Sequence, residues 1–156
     1  MTLPIDPETL TSEDVGEERA VLEMDHETAV EHVRGAFLDA GFGVATEFSP
    51  SELLNEKVDA GRDPYYVLGA CNPTMADRAL DASENRIGAL FPCNVVVWQE
   101  APERQVVYHV SIMRVARLVG LAPDDETMAD VVADTGELVA AAYANVRDTD
   151  ALVAGA

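Results

Sequence analysis

The sequence predicts an α+β fold, a mixed or antiparallel sheet of about five strands packed against helices as a two-layer sandwich. Three observations predict it. Stretches of period-two alternation and stretches of helical spacing follow one another in the order β-α-β-α-β-α-β-β-α-α. Glycine, proline and capping residues mark most of the junctions between them. A chain of 156 residues that is 48% apolar and 25% charged suits one globular domain, large enough to need no disulfide staple.

Residues 1–17 hold several acids, two prolines and no base, and are expected to form a flexible acidic tail. The single domain is expected at 18–147, with a C-terminal tail at 148–156. Ala20, Leu22 and Met24 alternate as a first strand. Asp25 then caps a helix running to about Ala40, with Val30, Val33 and Phe37 inward. Gly41 ends that helix, and Phe42, Val44 and Phe48 read as a second alternating strand with Glu47 on its opposite side. Ser49-Pro50-Ser51-Glu52 is a capping box that opens a short helix holding Leu53, Leu54 and Val58 and closing near Gly61.

Tyr65 to Cys71 is almost continuously apolar, the mark of a strand buried on both faces. Asn72-Pro73 starts a third helix with Met75, Ala79 and Leu80 inward. Pro92–Gln99 and Arg104–Val110 read as a hairpin turning through Glu100 to Glu103. A short helix follows over about Met113 to Val119, and a long one from about Asp125 to Val146. In the long helix Met128, Val131, Val132, Leu138, Val139, Ala142 and Tyr143 recur at helical spacing, which makes a core face and not a cofactor box.

Charge narrows the function classes. Asp and Glu total 29 against 10 Lys and Arg, a formal charge of −19. Such a surface repels phosphate, so neither nucleic acid nor an anionic membrane is an expected partner. No apolar run approaches the ~18 residues of a membrane span, and Met1 to Asp6 has neither the charge nor the apolar core of a secretory signal. A cytoplasmic location is therefore expected. Lys57 is the only lysine, every other base being arginine. At ~1 M salt the Debye length falls to about 3 Å and most of the self-repulsion is screened. The acids are spread along the chain rather than set at cation-ligand spacing, which fits adaptation to a salt-rich cytoplasm better than a calcium site.

Few residues carry chemistry. Cys71 stands where an apolar strand ends and a helix begins, where outward-pointing backbone N–H groups favour a thiolate. Packing a small apolar gap is the commoner role for such a cysteine. Cys93 follows Pro92 at the start of the next strand, and its separation from Cys71 matches no zinc spacing. The two thiols approach each other only if their strands are antiparallel neighbours. Lys57 is a candidate because a lone lysine among arginines suggests a role a guanidinium does not fill, with Glu47 its candidate partner. His109 lies on the last strand, where a satisfied neutral ring is usual and a ligand the exception. His26 and His32 fall on the exposed side of the first helix. Phosphate-loop, nucleophile-elbow and HExxH patterns are absent from the sequence.

Gly41-Phe42-Gly43-Val44 with Thr46-Glu47, then Leu68-Gly69-Ala70-Cys71-Asn72-Pro73 with Ala76 and Ala79-Leu80, then Leu90-Phe91-Pro92-Cys93-Asn94-Val95-Val96-Val97, together resemble the domain-of-unknown-function 302 family. The likeness spans about Arg19 to Val146, and Lys57 falls where that family usually carries a lysine. The resemblance implies a compact α+β domain, often paired as a homodimer. It implies no established reaction and names no cofactor. The acidic N-terminal extension and the helix with Arg114 and Arg117 depart from the family pattern.

The residues and the resemblance together point to a small-ligand binding or sensing module. Its pocket is expected near Glu47, Lys57, Cys71, Asn72, Cys93 and Asn94, with the amides, the cation and the carboxylate orienting a small polar molecule. The alternative is thiol redox or soft-metal chemistry through Cys71 and Cys93, with His109 as third ligand. In a third reading the cysteines and asparagines are purely structural.

Overall fold

Every α-helix among the described residues begins on a side chain that accepts a hydrogen bond from its own first turn. The computed structural model describes residues 5–150 and 152. Asp25 caps α1 (His26–Asp39), Ser49 caps α2 (Pro50–Val58) and Asn72 caps α3 (Pro73–Ala82). Ser111 caps α4 (Ile112–Leu118) and Asp125 caps α5 (Glu126–Arg147). Each such cap contributes typically about 1 kcal/mol, so the boundaries are fixed locally before packing acts. Short 3-10 turns lie at Pro7–Thr9 and Arg86–Leu90.

The strands are β1 (Glu18–Leu22), β2 (Gly43–Phe48), β3 (Tyr65–Cys71), β4 (Cys93–Ala101) and β5 (Arg104–His109). They form one sheet in the order β1-β5-β4-β3-β2. Of the two forms the sequence allowed, the sheet takes the antiparallel one, because every pair is antiparallel. β1 and β2 end up on opposite edges, so α1, which joins them, must cross the width of the sheet. No helix among the described residues is long and apolar enough to cross a membrane.

α1 and the C-terminal half of α5 cover one face of the sheet. Ala20 and Leu22 of β1, Leu68 and Ala70 of β3, Val95 and Val97 of β4 and Val107 of β5 point into this layer. There they meet Val33 and Phe37 of α1 and Ala142, Tyr143 and Val146 of α5. A second buried cluster lies beyond the sheet end where β3 stops and β4 starts. It joins Ala79 of α3, Ile87, Met113 and Ala116 of α4, and Met128, Val131 and Val132 of α5. One helix therefore serves both clusters: α5 gives its first half to the second and its last half to the first.

Three expectations are corrected by packing. Phe42, Val44 and Phe48 do not share a face, because a bulge between Val44 and Thr46 adds one residue to β2. Val44 pairs with Ala70 on the helix side, whereas Phe48 pairs with Val67 on the other side and is 52% exposed. Glu47, paired with Leu68, consequently faces the helices. Leu53 and Val58 of α2 remain exposed, and only Ser51 of that helix is buried. His26 and His32 are not surface ornaments: His26 Nδ1 is 2.8 Å from Gln105 Oε1, and His32 Nε2 donates to the Val146 carbonyl at 2.8 Å. Both fasten α1 to elements distant in sequence. Within the N-terminal segment, Ser111 N donates to Val15 O at 2.8 Å and Tyr108 Oη donates to Glu17 at 2.9 Å.

Candidate functional site

A cleft of about 250 Å3 occupies the seam between the two buried clusters. Phe42 and Ala70 of the first cluster and Met113 of the second line it, along with Cys71, Cys93 and Thr135. Met75 and Ala76 of α3 close its outer side, beside Pro92, which follows a cis peptide bond. The lining is almost wholly apolar, and no charged side chain among the described residues belongs to it.

Antiparallel pairing of β3 and β4 brings the two cysteines here. Ala70 is paired with Cys93, so Cys71 lies one residue beyond that pair, and both thiols are free. Burial, and secondarily the neighbouring Cys71, push the Cys93 thiol up to about 12. At neutral pH Cys93 is a half-buried, protonated, apolar group. Behind the cleft Gly69 is pressed between strands: an added Cβ would meet Thr46 Oγ1 and would lie 2.6 Å from Pro92 Cγ. This close approach holds β2, β3 and the start of β4 together at the rim.

Asn72 lines the cleft, but its amide is already committed. Its Oδ1 accepts from Met75 N at 3.0 Å, and its Nδ2 donates to the Gly41 carbonyl at 2.9 Å. It caps α3 and ties the loop before β2 to the end of β3. Asn94 is exposed and stands opposite Gly69 on the sheet face away from the helices. Its backbone carbonyl accepts from His109 Nδ1 at 2.9 Å.

Glu47, Lys57, Asn94 and His109 do not join the cysteines. Glu47 takes a two-pronged contact from Arg34, at 2.7 and 3.3 Å, and a hydrogen bond from Tyr66 Oη at 2.7 Å. Arg34 above all, then Tyr66, holds its carboxyl below the usual range. Arg34 also pairs with Glu31. Lys57 is exposed on α2 and reaches only its neighbour Glu56, at 3.6 Å. The reason is the bulge in β2 for Glu47, which turns it towards α1, and the outward face of α2 for Lys57. His109 is buried beside Tyr143, ring centres 6.5 Å apart, with its basicity lowered by burial against the opposing effects of Asn94 and Glu18. It is not a third ligand to the thiols. No group of three or more His, Cys, Asp or Glu among the described residues is placed to hold a metal ion.

Thr135 is the residue the sequence reading passed over. It is 5% exposed, and its Oγ1 is, among the described residues, the one buried side-chain polar atom with no hydrogen-bond partner. A helical threonine normally bonds the carbonyl three or four residues back. The signal was present: the stripe Met128, Val131, Val132, Val139, Ala142 requires an apolar residue near position 135, and a threonine stands there.

A second, larger cleft of about 570 Å3 lies between α1 and α2. Arg34, Tyr66, Ser49, Ser51, Asn55 and Arg62 line it. Several of its polar groups are bonded within the protein. Ser49 and Ser51 both donate to the Tyr65 carbonyl, Tyr65 N donates to Ser51, and Asn55 brackets the backbone of Arg62.

The sequence model of the family described as "Domain of unknown function DUF302" matches residues 18–146. Among solved structures, the uncharacterized conserved protein DUF302 from Bacillus stearothermophilus is similar, with a TM-score of 0.72 and 24% identity. The match covers 84% of this chain and 98% of that one, and at that identity it shows the fold. No curated protein matches the chain.

Proposed function

The chain belongs to the DUF302 family, and from that premise we propose that it is a small-ligand binding or sensing module whose ligand occupies the cleft between the two cores. The observation that supports this is an apolar cavity placed where the cores fail to merge, with a threonine in its wall whose buried hydroxyl the protein leaves unbonded. The ligand this favours is smaller and less polar than the amides and charges of the sequence suggest. At about 250 Å3 the cavity lies just below the usual ~300–1,000 Å3 of ligand pockets. Native mass spectrometry of protein purified in high salt should show a bound mass that is lost on denaturation. Ala76→Phe, which fills the cleft, should lose it too. Wild-type spectra without added mass, together with no thermal shift across a metabolite panel, would refute the reading.

The second reading, thiol redox or soft-metal binding, is favoured by both cysteines lining one cleft. It requires deprotonation of Cys93, which burial opposes. Cys93 alkylated in the native state at pH 8 as fast as in the unfolded state, or copper or zinc retained at one per chain, would establish it over the first reading.

We propose further that the partner is a second copy of this chain, seated on the sheet face that α1 and α5 leave uncovered. Val67, Val96, Trp98 and Tyr108 face outward there, with Tyr65 stacked on Trp98 at 6.0 Å and Arg19 over the Trp98 ring at 5.6 Å. An aromatic patch with so little charge, on a chain of −19, is where two like-charged copies repel least. Sedimentation in 2 M KCl should give a dimer, and Val96→Arg a monomer; a monomeric wild type would refute it. We assign the chain to a salt-rich cytoplasm, and circular dichroism that is unchanged in dilute buffer would contradict that assignment.

A further inference from the structure

We propose that Thr135 is the specificity-determining residue of the cleft, selecting a small neutral molecule that carries one hydrogen-bond acceptor on an otherwise apolar frame. The inference rests on the cleft being a ligand site and goes further by naming the ligand's chemistry.

Three features of the lining define that chemistry. Ionic ligands are excluded first. No cation among the described residues lines the cleft to meet a carboxylate or phosphate, and no carboxylate lines it to meet an amine. A buried charge without a partner costs far more than a cavity of this size returns.

Polyhydroxylated ligands are excluded next. Such a molecule needs many partners, and the other polar groups here are occupied or inert. Asn72 spends its amide on Met75 N and the Gly41 carbonyl. Cys93 is a half-buried protonated thiol, a weak donor. Backbone N–H and C=O groups of Ala70 and Cys93 belong to the pairing of β3 with β4.

Thr46, the other hydroxyl in the lining, belongs to an exposed residue that water can serve, so what remains is the buried Thr135 hydroxyl. It lies on the stripe of α5 where the helix passes from one core to the other, and it bonds to nothing in the fold. An unsatisfied buried donor is costly, and satisfying it is the strongest directional reward this cleft can give a ligand. A valine would fill the same volume without the penalty, so stability does not explain a threonine here. A ketone, aldehyde, ester or ether oxygen set on an aromatic or branched aliphatic frame meets both conditions: the frame fills the apolar cavity and the oxygen accepts from Thr135. The hydroxyl is shielded from solvent, so side chains above it must yield on binding. Met75 and Met113 are unbranched and change rotamer cheaply, which fits them for that movement.

The test uses two probes of nearly equal shape, acetophenone and α-methylstyrene, which differ in that a carbonyl oxygen replaces a methylene. Binding to the full chain in 2 M KCl is followed by amide shifts of cleft residues. Wild type should bind acetophenone about five- to tenfold more tightly than α-methylstyrene, the ratio expected for one satisfied buried donor. Thr135→Val should bind α-methylstyrene unchanged and lose the preference, while Thr135→Ser keeps it. Without ligand, Thr135→Val should melt at or above the wild-type temperature, which also shows that it folds. If Thr135→Val keeps the acetophenone preference, or wild type has none, the assignment of Thr135 fails while the cleft stands as a site. If neither probe shifts cleft residues in wild type, both readings fail.

Discussion

The two clefts differ in the opposite sense to their size. The one between α1 and α2 is more than twice as large and holds arginines, serines and a tyrosine, the residue types associated with a binding site. Its inner groups, Arg34, Tyr66, Ser51 and Asn55, are nonetheless bonded inside the protein, and Glu27, Glu52 and Arg62, whose charges have no partner among the described residues, are exposed to water. The smaller cleft, at the seam of the cores, is almost wholly apolar and includes Thr135, whose buried hydroxyl is unbonded. A polar group already paired stabilises the fold and offers a ligand little, because a newcomer must break a bond to form one. The lesson is to ask which groups are left over before asking how many there are.

The largest expected effect sharpens this contrast at the rim of the small cleft. Gly69→Ala forces a methyl against Thr46 and Pro92 and should cost about 1–3 kcal/mol in a urea midpoint, along with loss of ligand retention. Wild-type stability in that variant would mean the strands are not held as closely as described. Next, Arg34→Met in the large cleft should cost about 1 kcal/mol or less, since Glu47 is 37% exposed and water replaces much of what it loses. Ligand retention should be untouched, and a loss of it would move the binding site to the large cleft.

Acid should act on neither cleft first but on His109 behind the small one. Burial lowers the ring's proton affinity in the fold, so the unfolded chain takes up its proton first as pH falls through about 6.5. Stability is then complete above that pH and declines below it, and the depressed Glu47 carboxyl acts in the same direction at lower pH. The melting temperature should fall between pH 7.5 and 5.5, and His109→Gln should flatten that slope. An equal slope in the variant would remove His109 as the cause. The smallest effect is expected from Lys57→Ala, within about 0.5 kcal/mol and with no change in ligand retention, because Lys57 reaches only Glu56. A marked loss of ligand would restore it to the site.

Much of the fold was legible because its signals are local. The caps at Asp25, Ser49 and Asn72, the stripe on α5 and the β4–β5 hairpin each sit within a few residues of what they specify. The site was legible only in part. Cys71, Asn72 and Cys93 line the cleft, since strand ends and helix starts gather at one edge of a sheet. Glu47 was misplaced because one inserted residue in β2 changes its face, and a bulge leaves no periodic trace in so short a strand. His26 and His32 were read as solvent-facing because their partners, Gln105 and Val146, lie 79 and 114 positions away. Thr135 was visible as a break in a pattern, and it was the pattern that drew attention.

The bulge between Val44 and Thr46 works as a half-turn of phase in the edge strand. Ala45 is the extra residue, so without it Val44 and Thr46 would alternate directly and every later residue would keep its present face, Glu47 under the helices and Phe48 on the uncovered side. Had the strand instead taken Ala45 into plain alternation, Arg34 would face Glu31 alone and an acid would stand on the surface offered to a second copy. The one extra residue thus keeps an ion pair made and negative charge off the dimer seat, without adding a residue to either core.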